Sequence, residues 1–312
     1  MTWPELYREA LAHYEGTANI AGVGRIKSNL AVLHVVAGEH QEAADLLMEA
    51  LELRRNAGDL AGEAATLDNL AELHRQLGAL EQAGRLQRDA LALHEQLGDR
   101  GAVAWARKKL ADLAYWDERY EEAETGYIEA LADLEGGDSH ARLMALVGLG
   151  AVQRDRGKVF DASRHLADAL TGARADGDLR ALAHALLHRG RLGRYLAEHE
   201  HAVADLQASV TTYQQLKDHR GVALALCELG HSALACDRPA GELHQRAAKL
   251  ISNSRLGVAS EPGARVLELE RAIASRQRGE RLLLGHRPGD LPAAILEDSR
   301  GVLDDPKTLS VD

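Results

Sequence analysis

The sequence predicts an all-α, right-handed solenoid of about six helix–turn–helix repeats, with capping helices at its ends. The first observation is a period of about 40 residues between Gly22 and Asp218. The second is that small residues recur in two columns of this period, as expected where helices cross closely. The columns hold Ala43, Ala83, Ala123, Ala162 and Ala202, and then Ala50, Ala90, Ala130, Ala169 and Ser209.

A third observation is a glycine–aspartate pair that recurs with the same period. Glycine permits the positive φ that ends a helix, and aspartate accepts hydrogen bonds from the first turn of the next helix. Each repeat is therefore predicted as a first helix (helix A), a turn and a second helix (helix B). The pairs are Gly58-Asp59, Gly98-Asp99, Gly137-Asp138 and Gly177-Asp178.

The period divides the chain into four predicted segments. Residues 1–21 hold a lone helix, which is either an N-terminal cap or a truncated repeat. Residues 22–251 hold the six repeats. Residues 252–284 hold a loop and a C-terminal capping helix with apolar residues on one side, and residues 285–312 form a proline-containing tail.

Composition excludes several classes of protein. The net charge of −11 argues against direct binding to nucleic acid or to an anionic membrane surface. No apolar run reaches membrane-spanning length, and the N-terminus lacks the features of a secretory signal. The two cysteines, Cys227 and Cys236, exclude a disulfide framework and fit a reducing compartment, so a cytoplasmic location is predicted.

The repeat columns carry a family resemblance. Leu70-Ala71, Gly78, Ala83 and Ala90 match the tetratricopeptide (TPR) pattern at the expected spacings, and the chain resembles TPR proteins over roughly residues 4–251. Its long repeat is similar to those of bacterial transcriptional activators and STAND-type signalling proteins. The resemblance implies a cytoplasmic scaffold that binds a peptide or protein in a concave groove, in bacterial regulation or signalling.

The resemblance also implies that helix A of each repeat lines this groove. Cations and aromatic residues are concentrated there although the whole chain is acidic, and such residues are typical binding anchors. We therefore predict an acidic peptide or protein as the partner. The same face carries Asp68, Glu72 and Glu228. The predicted binding residues are Asn69, Arg75, Trp105, Lys108, Lys109, Asp112, Tyr115, Trp116, Arg154, His184, His188, Arg191, Arg194 and Tyr195.

The family's clamp for the carboxylate of chaperone tails does not fit this chain. Ser28 and Val32 occupy the first two clamp positions, and Trp105 stands where a lysine is required. Only Asn69 and Lys109 match the pattern. The resemblance therefore argues against a chaperone-tail receptor.

Other interpretations stay open at this stage. The aromatic residues of helix A could pack between helices, with the cations as solvated surface. A small-ligand sensor, or an enzyme or accessory factor with a pocket built on the repeats, is the alternative function. His184 and His188 share one helix face like a metal pair, but no carboxylate ligand stands beside them. No nucleophile–base pair is evident, so we predict a non-enzymatic protein without cofactor or metal; its oligomeric state is left open.

Overall fold

The computed structural model describes residues 3–17, 19–134, 137–253 and 261–278. Within these ranges the chain forms 14 helices and no strand, which confirms the predicted all-α solenoid. The predicted tail, 285–312, lies outside the described residues. None of the helices in the described ranges has both the length and the apolar character needed to cross a membrane.

The first compact unit comprises Met1–Gly137. Its lone first helix packs on the next one, and the remaining six helices form three pairs in which helix A contacts helix B. The helices are α1 (Trp3–Gly16), α2 (Ile20–Ala37), α3 (His40–Ala57), α4 (Leu60–Gln76), α5 (Leu80–Leu97), α6 (Arg100–Trp116) and α7 (Tyr120–Asp133).

The second compact unit comprises Asp138–Asp312. It contains three further helix pairs and a last helix that packs on both members of the third pair. The helices are α8 (Ser139–Asp155), α9 (Val159–Asp176), α10 (Leu179–Tyr195), α11 (His199–Gln215), α12 (His219–Ala235), α13 (Gly241–Asn253) and α14 (Glu261–Gln277).

The turns follow the chemistry that the glycine–aspartate pairs predict. Gly58, Gly98 and Gly177 are left-handed, with φ of 67°, 69° and 67°. Asp59 accepts a hydrogen bond from the backbone N–H of Gly62 at 2.9 Å and so caps α4. Aspartate caps helix A in the same way at the start of α6, α8, α10 and α12.

Among the described residues, four turns place a residue other than glycine in the left-handed region. They are Glu118, Ala197, Lys217 and Asp237, with φ between 55° and 62°. A residue with a Cβ is strained in this conformation, by roughly 1–2 kcal/mol. The three-residue turns at Glu118, Ala197 and Lys217 thus take a left-handed residue although no glycine stands there.

Both small-residue columns are buried at helix crossings. Their ten members are 0% exposed. The backbones also approach closely at glycine: a Cβ added to Gly190 on α10 would lie 2.6 Å from the Leu206 Cγ on α11 and 3.2 Å from the Ala202 carbonyl oxygen. A side chain at position 190 would therefore force the two helices apart.

The last repeat is closed by α14. A Cβ on Gly230 of α12 would lie 2.6 Å from the Leu269 Cδ2, so Leu269 fills the position that Leu206 occupies against Gly190. Leu269 belongs to one apolar cluster with Ala247 and Ile251 of α13. The helix predicted within residues 252–284 thus corresponds to α14, and residues 279–284 lie outside the described ranges.

The left-handed turns generate a stability prediction. Ala197→Gly should raise the free energy of unfolding by up to about 1 kcal/mol, because glycine removes the backbone strain at an exposed position. Gly177→Ala is the matched control. No atom lies within 4 Å of the added Cβ, so this change introduces only strain and should destabilise the fold. Chemical denaturation measures both, and changes of the same sign would contradict the prediction.

Candidate functional site

In the first unit, a polar network on the A-helix side is centred on Asp68 of α4. Its carboxylate accepts hydrogen bonds from Gln87 Nε2 at 2.7 Å, from Lys109 Nζ at 3.2 Å and from His94 Nε2 at 3.0 Å. Burial alone would raise the pKa of Asp68, but Lys109, His94 and Gln87 outweigh it and lower this pKa. Asp68 is therefore a fixed negative charge that holds Lys109 of α6 in place.

Glu72 lies one helical turn beyond Asp68 and holds Arg75. The Arg75 guanidinium donates two hydrogen bonds to the Glu72 carboxylate, at 2.8 and 2.7 Å, and Gln76 donates a third at 2.8 Å. Burial would raise the pKa of Glu72, yet these partners lower it. Asn69 is half-buried on the same helix. The predicted residues Asn69, Arg75 and Lys109 thus lie around two carboxylates.

Lys108 of α6 belongs to a separate, buried contact. Its Nζ lies 2.7 Å from Asp112 Oδ2 and 5.3 Å from the centroid of the Trp105 ring, and the residue is 8% exposed. Tyr127 of α7 donates its hydroxyl hydrogen to Asp112 Oδ1 at 2.7 Å. Burial and the Asp112 charge raise the pKa of Tyr127 well above its usual range. Asp112, which also holds Lys108, therefore joins helix A to helix B of the third repeat through Tyr127.

The aromatic residues at the end of α6 contact one another. The Tyr115 ring lies 6.4 Å from the Trp116 ring and 5.9 Å from that of Tyr120 on α7. Tyr115 and Trp116 are half-buried, as is Trp105. Packing between helices thus accounts for part of this aromatic group, and a role in binding stays a prediction.

In the second unit, the buried carboxylate of Glu228 on α12 holds two arginines of α10. Glu228 Oε1 lies 2.9 Å from Arg191 Nε, and Glu228 Oε2 accepts a hydrogen bond from Arg194 Nη2 at 2.9 Å. Glu228 is 2% exposed and Arg191 6%, whereas the Arg194 side chain is 24% exposed. Burial would raise the pKa of Glu228, but Arg191 and Arg194 hold it well below its usual range.

Two histidines of α10 flank this ion cluster. The His184 ring lies edge-on to Tyr213, with 5.4 Å between the ring centroids. Burial and the charges of Arg191 and Arg154 hold the pKa of His188 well below its usual range, so His188 is neutral at pH 7. The Arg154 guanidinium donates to both Asp155 oxygens, at 2.8 and 2.9 Å.

Some buried nitrogens of this cluster have no hydrogen-bond acceptor or donor among the described residues. They are Nδ1 of His188, Nδ1 of His231 on α12 and Nε of Arg194. Unsatisfied buried groups of this kind are costly and often mark sites that a ligand or water completes. Tyr195, the remaining predicted residue, packs on the apolar cluster of Val159 and Leu192 instead.

The predicted binding residues thus belong to several separate contacts within each unit. Reading the spacing along helix A was enough to place Asp68, Glu72 and Glu228 beside the cations. It missed three polar residues of helix B that contact these groups, which are Gln87, His94 and Tyr127. The spacing of residues along helix A does not predict which side chains of helix B contact it.

Comparisons with known proteins support a repeat solenoid. The tetratricopeptide repeat model matches residues 22–96, and the model of anaphase-promoting complex subunit 5 matches residues 133–194 and 154–232. No curated protein sequence matches the chain significantly.

Several solved structures share the fold. A signal transduction ATPase with numerous domains (STAND) from Pyrococcus horikoshii, which has a tetratricopeptide repeat sensor, is 17% identical with a TM-score of 0.58; the match covers 97% of this chain and 46% of that one. Apo RapI is 10% identical with a TM-score of 0.62, covering 86% and 98%. A Rap protein complexed with competence and sporulation factor is 15% identical with a TM-score of 0.60, covering 98% and 86%. This chain therefore spans less than half of the STAND protein.

The Glu228 cluster generates a pH prediction. Glu228→Gln should lower the free energy of unfolding at pH 7 by about 3–5 kcal/mol, because it leaves buried arginines without their counter-charge. The pKa of Glu228 is depressed in the folded state, so its contribution is present above the unfolded pKa of about 4.3 and is lost as pH falls.

Chemical denaturation between neutral and acidic pH tests this prediction. The difference in free energy of unfolding between Glu228→Gln and the native protein should shrink as the pH falls below the pKa of this carboxyl in the unfolded chain. Glu200→Gln, at an exposed position on α11, is the matched control and should change stability little. An equal effect of both substitutions would contradict the prediction.

Proposed function

Because this chain is a tetratricopeptide-repeat solenoid, we propose that it is a non-enzymatic scaffold that binds an acidic peptide or protein on the A-helix face of its repeats. We place this role in bacterial regulation or signalling in the cytoplasm. Two solved structures with a similar fold support this choice. One is a STAND protein with a tetratricopeptide repeat sensor, and the other is a Rap protein complexed with competence and sporulation factor. Free Cys227 and Cys236 fit a reducing compartment.

The observation that carries the proposal is the pair of arginines held by Glu228. Repeat stacking does not require a buried ion cluster, since replacing buried ion pairs by apolar residues often leaves stability unchanged or higher. Perturbed pKa values in such a cluster are a recognised property of functional sites. We therefore assign the cluster to recognition rather than to stability.

The arrangement suits a carboxylate ligand. Arginine presents its N–H groups in a planar fork that matches a carboxylate, and Glu228 fixes that fork before the partner arrives. Arg194 is the partly exposed member, and its Nε makes no hydrogen bond among the described residues. In this proposal Glu228 is a positioning residue, and Arg194 contacts the partner.

Selection of peptides from a random displayed library on the native protein tests the proposal. The recovered sequences should be rich in aspartate and glutamate. Arg194→Gln should weaken their binding at least about tenfold, because a hydrogen bond to a charged group contributes about 1.5–3 kcal/mol. Fluorescence polarisation with labelled peptides measures the affinity.

The matched control is Arg164→Gln on α9. Arg164 is exposed, and its Nη2 lies 3.3 Å from Asp161 Oδ1. The control therefore makes the same change of charge outside the Glu228 cluster. Binding should be unchanged in this variant. Peptides without acidic residues, or native affinity in Arg194→Gln, would rule out recognition by this cluster.

A further inference from the structure

A groove in the first unit is lined by residues other than those of the polar networks described above. It runs between α5 and α7, the B helices of two successive repeats, and α6 forms its floor. Its volume is about 560 Å³. The lining residues are Leu91, Glu95, Arg107, Leu110, Ala111, Glu121, Glu122, Thr125, Gly126 and Glu129. We call this concavity the α5–α7 groove.

The groove lies where helix B of the third repeat has a glycine. Gly126 stands three positions after Ala123, and the same column of the other B helices has larger side chains: Leu46, Leu86, His165 and Asp205. Gly126 faces Ala111 of α6 so closely that an added Cβ would lie 3.0 Å from the Ala111 Cβ. The third repeat therefore lacks the side chain that covers this part of the floor elsewhere.

The groove combines an apolar floor with an acidic rim. Leu91, Leu110 and Ala111 supply apolar surface, and Leu91 and Leu110 are partly exposed. The lining holds four glutamates and one arginine, and one of the glutamates, Glu122, also pairs with Arg119 outside the lining. The arginine of the lining, Arg107, is held by Asp133 at 2.5 Å and by Glu95 at 3.2 Å.

We propose that the α5–α7 groove docks a basic, amphipathic segment of a partner protein. Lysine or arginine side chains of that segment pair with the glutamates of α7, while its apolar side chains cover Leu91 and Leu110. Charge complementarity selects the partner, and the apolar floor provides the buried area. The groove uses B helices and attracts cations, so it acts independently of the arginine pair on α10.

The acidic rim also sets the spacing of the partner's charges. Glu121 and Glu129 are separated along α7 by about 12 Å, at 1.5 Å per residue. Basic residues about seven positions apart on a partner helix span a similar distance and leave apolar residues between them facing the floor. The groove therefore favours a helix with one basic residue every second turn.

The test uses the full chain and a fluorescein-labelled helical peptide with lysines in this spacing and leucines between them. The native protein should bind the probe saturably, and affinity should fall as salt rises. Glu121→Lys together with Glu129→Lys should weaken binding at least about tenfold, because both rim charges become repulsive. Glu42→Lys together with Glu52→Lys, two exposed changes on α3, is the control with equal net charge.

Two further measurements separate the groove from general attraction to an acidic protein. A peptide with the same composition but scrambled order should bind at least about tenfold more weakly than the probe, since its leucines no longer meet the floor. Leu110→Gln should weaken binding of the probe although it changes no charge. Circular dichroism checks that the variants remain folded. The proposal is overturned if the native protein fails to bind, or if the α3 control loses as much affinity as the α7 variant.

Discussion

Close contact between the two helices of each repeat is the constraint on which the remaining structure depends. At Gly190 the backbone of α10 comes so near to Leu206 and Ala202 of α11 that no side chain fits between them. This crossing fixes which face of each helix is inward. The opposite face of helix A is then left to polar groups, and the outer side of helix B is left to solvent.

The short turns between helices make the close helix contacts recur at regular intervals along the chain. Helices α4 and α5 have 17 and 18 residues, and the turns between helices are short. The left-handed residues of the described turns reverse the chain without an extra loop, even at Glu118 and Lys217, where no glycine is present. Because most of the described helices have 17 or 18 residues and most of the turns have two or three, the small residues return at nearly the same interval.

Several ion pairs in this acidic protein cross between helices. Asp68 of α4 holds Lys109 of α6, and Glu228 of α12 holds Arg191 and Arg194 of α10. A cation fixed in this way acts through its position and orientation rather than through net charge. The lining of the α5–α7 groove has the opposite charge, so the first unit offers an acidic surface that the A-helix prediction did not include.

The sequence by itself determined the helices, their pairing and the side of helix A where the cations lie. These features depend on local spacing, as at Gly177 and Asp178, where one residue ends a helix and the next caps another. Only the tertiary structure decided that Glu228 would be buried between two arginines and that Gly126 would open a groove. Both outcomes depend on side chains from helices far apart in sequence, whose distances no periodicity can supply.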